Sequence, residues 1–456
     1  MGERVTFIHA GDIHLGAPFR GLRALSPAWA DRLVSAIPDA YDRVIRACID
    51  NEVDFLLLCG DVFDTDKPSY AHYRRFIRGL KRLEDAGVEA YIIAGNHDPY
   101  PNWRNIVSDL PSNAHLFPSD GPDFVCHKKD GVPLALIAAR GFCNMAPGQD
   151  IAEGMTRDAA IKSCETNAPF CIGMLHTGLW MDPYKAPTSE QKLVASGMDY
   201  WALGHIHKRY VNSEVNPRVA FCGCVQGRDI KETGDRGCFK VTLEQGLANK
   251  AEFIACESVE WERLRVDVSG CAGADDVISA CIRRVFDVNA TSSCDEMVVR
   301  ITLEGATPLH EMLSNETALE SLRRELNEGY PSFYCDALIC ATSSPRDKAA
   351  LARSASFFST LLESFEKEEG LEKESLRYLQ EEFSKRGLTL PGSVEKSMSR
   401  LYDAGEDVVL SLLGEADEHV SLRVYDETVA SKGRLSHGGL GRHESSFLRG
   451  EGGEMR

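Results

Sequence analysis

The chain has 456 residues, 43% of them hydrophobic and 26% charged, and carries a formal net charge of −18. That length holds two or three domains with ample buried core, and no apolar run reaches about 18 residues, which excludes a helix built to span a membrane. The acid excess argues against a surface that holds nucleic acid indiscriminately, although an acidic chain can still line one groove with basic groups, and metal ions add positive charge of their own.

The N-terminus runs straight into a strand without a basic, apolar, small-residue leader, so a cytoplasmic location is expected. Fifteen Cys are present. The odd count, the long chain and the lack of any Cys-x-x-Cys pair read as small core residues rather than disulfides. The one tight pair, Cys222-Gly223-Cys224, leaves a zinc reading open but has no second pair to complete it.

In chain order, VTFIHA is a strand, and residues 39–51 form a helix with Val44, Ile45 and Cys48 on one face. VDFLLLCGD is a strand apolar on both faces, as in a covered sheet. A helix opened by Pro68 and closed by Gly87 follows. VEAYIIAGNHD, PLALIAA, APFCIGMLH and MDYWALGH are further strands, which together make a layered α/β sandwich over residues 1–257. Residues 258–343 read as strand, helix, strand, helix, strand, a small α+β domain of the split βαβ kind. Ile278, Cys281, Ile282 and Val285 give its first helix an apolar stripe. Residues 344–425 turn helical and acidic, with apolar faces at Phe358, Leu361, Leu362 and Phe365 and at Leu376, Leu379 and Phe383, suited to self-packing or to a partner's groove. Residues 426–456, rich in Gly, Ser and Arg, read as a disordered tail.

The chemistry gathers where the strands end. Asp12 and His14 follow the first strand; as i and i+2 of an extended segment they would point the same way. Either they decorate a turn or they grip a metal. Four more clusters decide between these: Asp61, then Asn96-His97-Asp98, then His176, then His205 and His207, each after a buried strand. Ligands in open α/β sheets bind beyond the carboxyl ends of strands. Carboxylate, imidazole and amide oxygen together suit Mn2+, Fe or Zn rather than Ca2+. They are too many for one tetrahedral ion, but they fit two divalent ions sharing a carboxylate, an arrangement suited to phosphate-ester hydrolysis.

The series Asp12-x-His14, Gly60-Asp61-x-x-Asp64, Gly95-Asn96-His97-Asp98, His176 and Gly204-His205-x-His207 resembles the signature of the calcineurin-like metallophosphoesterases. The flanks GDIHLG, GDVFDTDKPS, YWALGHIHKR and VQGRDIKETGDRGC resemble the SbcD-type DNA repair exonucleases, in particular the YhaO-like branch, over residues 5 to 240. One segment departs: Cys222-Gly223-Cys224-Val225 stands where a Gly-Asn-Ile type sequence is expected.

The resemblance implies a β-sandwich flanked by helices, a capping domain over 258–343 and C-terminal helices that dock on an SMC-like coiled-coil ATPase of the SbcC type. It implies that Asp12, His14 and His207 hold one metal, that Asn96, His176 and His205 hold the other, and that Asp61 bridges them, with Mn2+ as the ion. His97 would face the scissile phosphate, with Asp98 posing its ring. Asp64 is expected to cap its loop. Lys208, Arg209 and Arg228 are candidates for DNA phosphates. The implied activity is 3′-to-5′ exonuclease with some endonuclease action in DNA repair, possessed by a chain that forms dimers. The competing readings are a phosphoesterase for a small diester or a phosphoprotein, and a non-catalytic regulator of the ATPase.

Overall fold

The computed structural model describes residues 3–18, 26–65, 67–103, 109–143, 149–328, 332–345 and 371–385. Residues Met1–Ser344 form one compact unit and Pro345–Arg456 another.

Two six-stranded sheets make the body of the first unit. One contains β1 (Arg4–Ala10), β2 (Phe55–Cys59), β3 (Glu89–Ile93), β4 (Ala114–Leu116), β11 (Gly237–Glu244) and β12 (Lys250–Ala255), in the order β12-β11-β1-β2-β3-β4. The other contains β5 (Asp123–Lys129), β6 (Val132–Arg140), β7 (Phe170–His176), β8 (Tyr200–Gly204), β9 (Tyr210–Val211) and β10 (Val219–Phe221), in the order β5-β6-β7-β8-β10-β9. Strands β1 to β4 run parallel, as do β6, β7, β8 and β10, so their carboxyl ends collect along one rim of each sheet.

Alternation along each strand builds the layers. Val5, Phe7, Phe55 and Leu57 point inward against Ile172, Met174, Tyr200 and Ala202, and this dry seam joins the sheets face to face. Ile8, Leu56 and Leu58 point outward under α1 (Pro27–Asp50) and α2 (Tyr70–Asp85), meeting Val44, Phe76 and Leu80. On the far side Leu136, Trp201 and Leu203 are covered by α3 (Arg157–Cys164) and α4 (Glu190–Ala195). Strands buried on both faces need these helical covers, which is why β2, β7 and β8 are apolar almost throughout.

Helix α1 is longer than the expected 39–51. It starts at Pro27 behind an N-cap at Ser26 and continues through Pro38. A proline inside a helix forfeits a hydrogen bond, but the extra turns bury Leu33 and Ala36 against Val259, Trp261, Val298 and Tyr334, and that packing outweighs the local preference.

Residues 260–343 carry a third sheet: β13 (Glu260–Asp267), β14 (Met297–Ala306) and β15 (Phe333–Ser343). Between them run α5 (Ala274–Asn289), α6 (His310–Leu313) and α7 (Glu316–Glu328). The strands lie in sequence order and all parallel, which corrects the split arrangement expected: this is a βαβαβ unit. In the second unit α8 (Leu371–Lys385) is described; Leu376, Leu379 and Phe383 are half-buried on it, while Arg377 and Tyr378 are exposed. The apolar face expected at 358–365 and the tail at 426–456 lie outside the described residues. Among the described residues no helix is long and apolar enough to cross a membrane, and the cysteines are all free thiols, as expected.

Candidate metal centre

The carboxyl ends of β1, β2, β3, β7 and β8 meet at one place between the sheet rims. The donor side chains do not arrive there from extended backbone, as the i, i+2 argument assumed. Asp12 (φ 50°), His14 (φ 54°), Asp61 (φ 50°) and His205 (φ 99°) all take left-handed backbone immediately after their strands. That conformation costs a non-glycine residue of the order of 1–3 kcal/mol and persists where surrounding structure imposes it, most often at functional sites. Here backbone bonds impose it: Asp12 and His14 N–H groups donate to Gly60 and Asp61 carbonyls at 3.1 and 2.9 Å, and the His205 N–H donates to the Asp12 carboxylate at 3.0 Å.

The donors form two lobes. In one, His14 Nε2 lies 3.1 Å from His207 Nε2, and His207 Nε2 lies 3.7 Å from Asp12 Oδ1. In the other, Asn96 Oδ1 lies 3.1 Å from His176 Nε2 and 2.9 Å from His205 Nδ1. Asp61 Oδ2 stands between them, 3.7 Å from His14 Nε2 and 3.5 Å from His176 Nε2. Gly95 permits this crowding, since a Cβ there would collide with Asp61 Oδ1. Gly60 does the same at φ +90°, where a Cβ would collide with His176 Nδ1.

Each of the four histidines has its other ring nitrogen engaged by an acceptor. His14 Nδ1 meets Asp64 Oδ1 at 3.0 Å and His176 Nδ1 meets the Cys59 carbonyl at 2.9 Å. His205 Nε2 meets Asp182 Oδ2 at 3.2 Å, and His207 Nδ1 meets Glu232 Oε1 at 2.5 Å. An acceptor fixes the proton on the outer nitrogen and leaves a lone pair on the inner one. Four lone pairs with Asp12, Asp61 and the Asn96 oxygen then converge on a buried site, and two bare imidazole nitrogens 3.1 Å apart have no hydrogen to share. This donor set fits cations, and its chemistry is that of first-row divalent ions.

The electrostatics agree. Burial opposes ionisation of Asp61, but the neighbouring His176 and His14 hold its carboxyl well below the usual range. Burial lowers His14. Burial also lowers His176, yet Asp61 outweighs it, and without a cation the ring is pushed up to about 9. Glu232, despite burial, is held down by His207 and Arg228.

The remaining expected site residues fall as follows. The His97 ring is 43% exposed at the edge of the His14 lobe, its centroid 4.8 Å from that of His14. Its backbone N–H donates to Asp61 Oδ1 at 2.8 Å. Asp98 does not pose the His97 ring, contrary to expectation. Its carboxylate turns inward and accepts from the N–H groups of Gly95, Val62 and Phe63 at 2.8, 2.9 and 3.1 Å, locking two donor-bearing loops together. The groups beside the His97 ring belong to Asp64, whose carbonyl lies 3.3 Å from Nδ1. Asp64 thus does more than cap a loop. Arg228 is drawn inward, its guanidinium 3.2 Å from both Asp64 and Glu232 and 3.0 Å from His207 Nδ1, where it competes with Glu232, and is not a free phosphate ligand. Lys208 and Arg209 are exposed, with Arg209 lying 4.1 Å over the Phe253 ring.

Cys222 and Cys224 are buried. The turn between them, at Gly223, backs against the His207 carbonyl, where a Cβ would sit at 3.0 Å. Asp182 and Glu232 are the functional residues that sequence reasoning missed. Glu232 lies inside the VQGRDIKETGDRGC stretch; Asp182 gives no signal beyond following His176 by six residues.

Comparison with known proteins identifies the family. Residues 5–209 match the calcineurin-like phosphoesterase family model, and the chain is 35% identical over 331 residues to the uncharacterized metallophosphoesterase YhaO of Bacillus subtilis, covering 71% of this chain and 78% of that one. The chain belongs to the calcineurin-like metallophosphoesterases, hydrolases that typically use two divalent metals. Its third sheet is likewise of a known kind: residues 261–342 match the middle domain of metallophosphoesterase YhaO. More distant relatives are the DNA double-strand break repair protein Mre11 of Thermoplasma acidophilum, 23% identical over 57% of this chain and 65% of that one, and the SbcD component of the nuclease SbcCD of Escherichia coli, 29% identical over 54% and 66%.

Proposed function

We propose that this phosphoesterase hydrolyses DNA as a two-metal, Mn2+-dependent nuclease, working 3′ to 5′ from ends with some endonuclease action, in the repair of DNA in the cytoplasm. The observation that carries the reading is the pair of donor lobes joined by Asp61, with an exposed imidazole, His97, at their edge. Asp12, His14 and His207 would hold one ion and Asn96, His176 and His205 the other. Bound there, the ions supply charge for the phosphate oxygens and a water of lowered pKa.

The chain supplies the rest. With the Asp64 carbonyl accepting from Nδ1–H, His97 keeps Nε2 for the substrate and, as an imidazolium with both ring nitrogens protonated, delivers the Nε2 proton to the departing 3′-oxygen. Asp98 holds the loop under it. Lys208 and Arg209 face solvent where phosphates would pass. DNA as substrate is supported by the named roles of the Mre11 and SbcCD relatives. By the same likeness, the C-terminal helices would dock on an SMC-like coiled-coil ATPase, and the chain would act as a dimer.

The test is end-labelled duplex DNA with Mn2+, wild type beside His97→Ala. Wild type should shorten the label. The variant should keep its metal and lose roughly 100-fold or more in rate, the scale of a general acid. Intact DNA alongside hydrolysis of a small chromogenic diester would overturn the DNA reading and leave the phosphoesterase.

A further inference from the structure

The segment after His176 has a form the metal centre alone does not require. Residues 177–188 close on themselves: the Gly178 N–H donates to the Lys185 carbonyl at 3.0 Å, the Asp182 N–H to the Gly178 carbonyl at 2.9 Å, and the Thr177 hydroxyl to the Ala186 carbonyl at 2.6 Å. Thr177, Leu179 and Ala186 are buried and pin the loop to the body. One side chain, Asp182, turns in to His205. The large aromatic ones turn out: Trp180 is 52% exposed and Tyr184 is 92% exposed.

The place of these rings is specific. Asp182, between them in sequence, touches a donor of one lobe. Trp180 rests against Tyr210, ring centroids 5.0 Å apart and nearly perpendicular, and Tyr210 lies three residues beyond His207, a donor of the other lobe. Lys185 beside Tyr184 and Lys208 beside His207 are exposed, and neither is in an ion pair among the described residues. In a chain of net charge −18, uncompensated lysines and exposed aromatic rings at the edge of a phosphodiesterase centre match a polymer with phosphates on one side and flat rings on the other. Base pairs in a duplex keep their faces stacked on each other; an unpaired strand offers them. Aromatic side chains with a basic track are the usual means of holding single strands without sequence preference.

We propose that Trp180 and Tyr184 form a stacking platform for unpaired nucleobases, holding the single-stranded end whose backbone enters the metal centre. This rests on the DNA reading above.

The test uses the full-length protein, without added metal so that nothing is cut. Binding of fluorescein-labelled oligothymidylate is followed by anisotropy, and quenching of tryptophan emission by unlabelled oligothymidylate is followed in parallel. Trp180→Ala and Tyr184→Ala should each weaken binding roughly 5- to 150-fold, the range that one stacked base contributes. Trp180→Phe should restore most of the affinity while removing part of the quenching. Tyr184 is so exposed that its variant tests the idea even if Trp180→Ala folds poorly, and a separate Mn2+ titration of each metal-stripped variant reports an intact centre. Wild-type affinity in both alanine variants would overturn the platform while leaving the nuclease reading in place. So would unchanged binding together with loss of self-association in sedimentation, which would assign the rings to a second copy of the chain. If wild type binds no oligothymidylate the platform falls, and the end-labelled duplex assay above decides separately whether the DNA reading falls with it.

Discussion

A metal-binding histidine is half defined by the atom on its far side. In this centre three of the four outer acceptors are carboxylates, from Asp64, Asp182 and Glu232, and the fourth is the Cys59 carbonyl. Carboxylates raise the basicity of the ring they hold, and loss of such a partner typically costs 10- to 100-fold in metal affinity. Asp182 offers the cleanest measurement, because it is partly exposed and its Oδ2 contacts the His205 ring without joining the Arg228 pairs that tie Asp64 to Glu232. Asp182→Ala should therefore weaken one of two Mn2+ binding steps by roughly 10- to 100-fold and leave the other near its wild-type value. Calorimetric titration of the metal-free protein resolves the two steps. Equal weakening of both would mean that the lobes are not separable, and no weakening would mean that the Asp182 contact contributes nothing.

At the scale of elements, β1, β2, β3, β6, β7 and β8 were legible because each is an apolar run closed by Gly, Asp or His, and the donors were legible because they sit at those closures; β4, β5 and β9 to β12, short or partly exposed, were not read. Their partners were not. Asp182 and Glu232 are single acids in loops, where no periodicity marks a side chain as inward. Asp98 misled for the opposite reason: adjacency to His97 suggested a shared task, but a bend after β3 sends its carboxylate to three backbone N–H groups instead. The loop at 226–236 shows what pattern cannot reveal. On one side it carries Glu232 and Arg228 to His207 and Asp64. On the other it is fastened to β13, with the Trp261 indole donating to the Gly227 carbonyl at 3.1 Å and the Gly234 N–H donating to the Trp261 carbonyl at 3.1 Å. The buried Gln226 amide donates to the Val259 carbonyl at 2.6 Å and accepts from the Ser258 N–H at 2.9 Å. The middle domain thus holds, through this loop, the outer partner of His207, a proposed metal ligand. Gln226→Ala would leave buried backbone groups unpaired, so it should destabilise the fold by roughly 1–3 kcal/mol. It should also weaken metal uptake, although it touches no donor. Denaturant unfolding with and without Mn2+ measures both, and a variant that loses stability yet binds metal as wild type would break the proposed mechanical link.

At the scale of the molecule, the middle domain behaves as part of the phosphoesterase body rather than as a bead on a string. Trp29 and Leu33 of α1 pack with Ile230 of the loop and with Trp261, Val298 and Tyr334 of the third sheet in one cluster. Polar ties surround it: Arg32 of α1 reaches Glu296 and the Ser258 carbonyl, the latter at 3.2 Å, and Arg43 reaches the Glu257 carbonyl. Buried aromatic packing of this kind couples the unfolding of the parts it joins, since neither can open without exposing the other's apolar surface. All the proposed metal donors lie within Met1–Ser344, the first compact unit. A chain ended after Ser344 should therefore fold, bind two equivalents of Mn2+ and unfold in a single calorimetric transition spanning both the phosphoesterase and middle domains. If the C-terminal helices are the ATPase dock, the same truncation should abolish capture of the partner ATPase while leaving metal binding intact. Two well-separated transitions would show that the α1 cluster does not unite the domains. Undiminished capture would place the docking surface within the first 344 residues, on the unit that holds the metals.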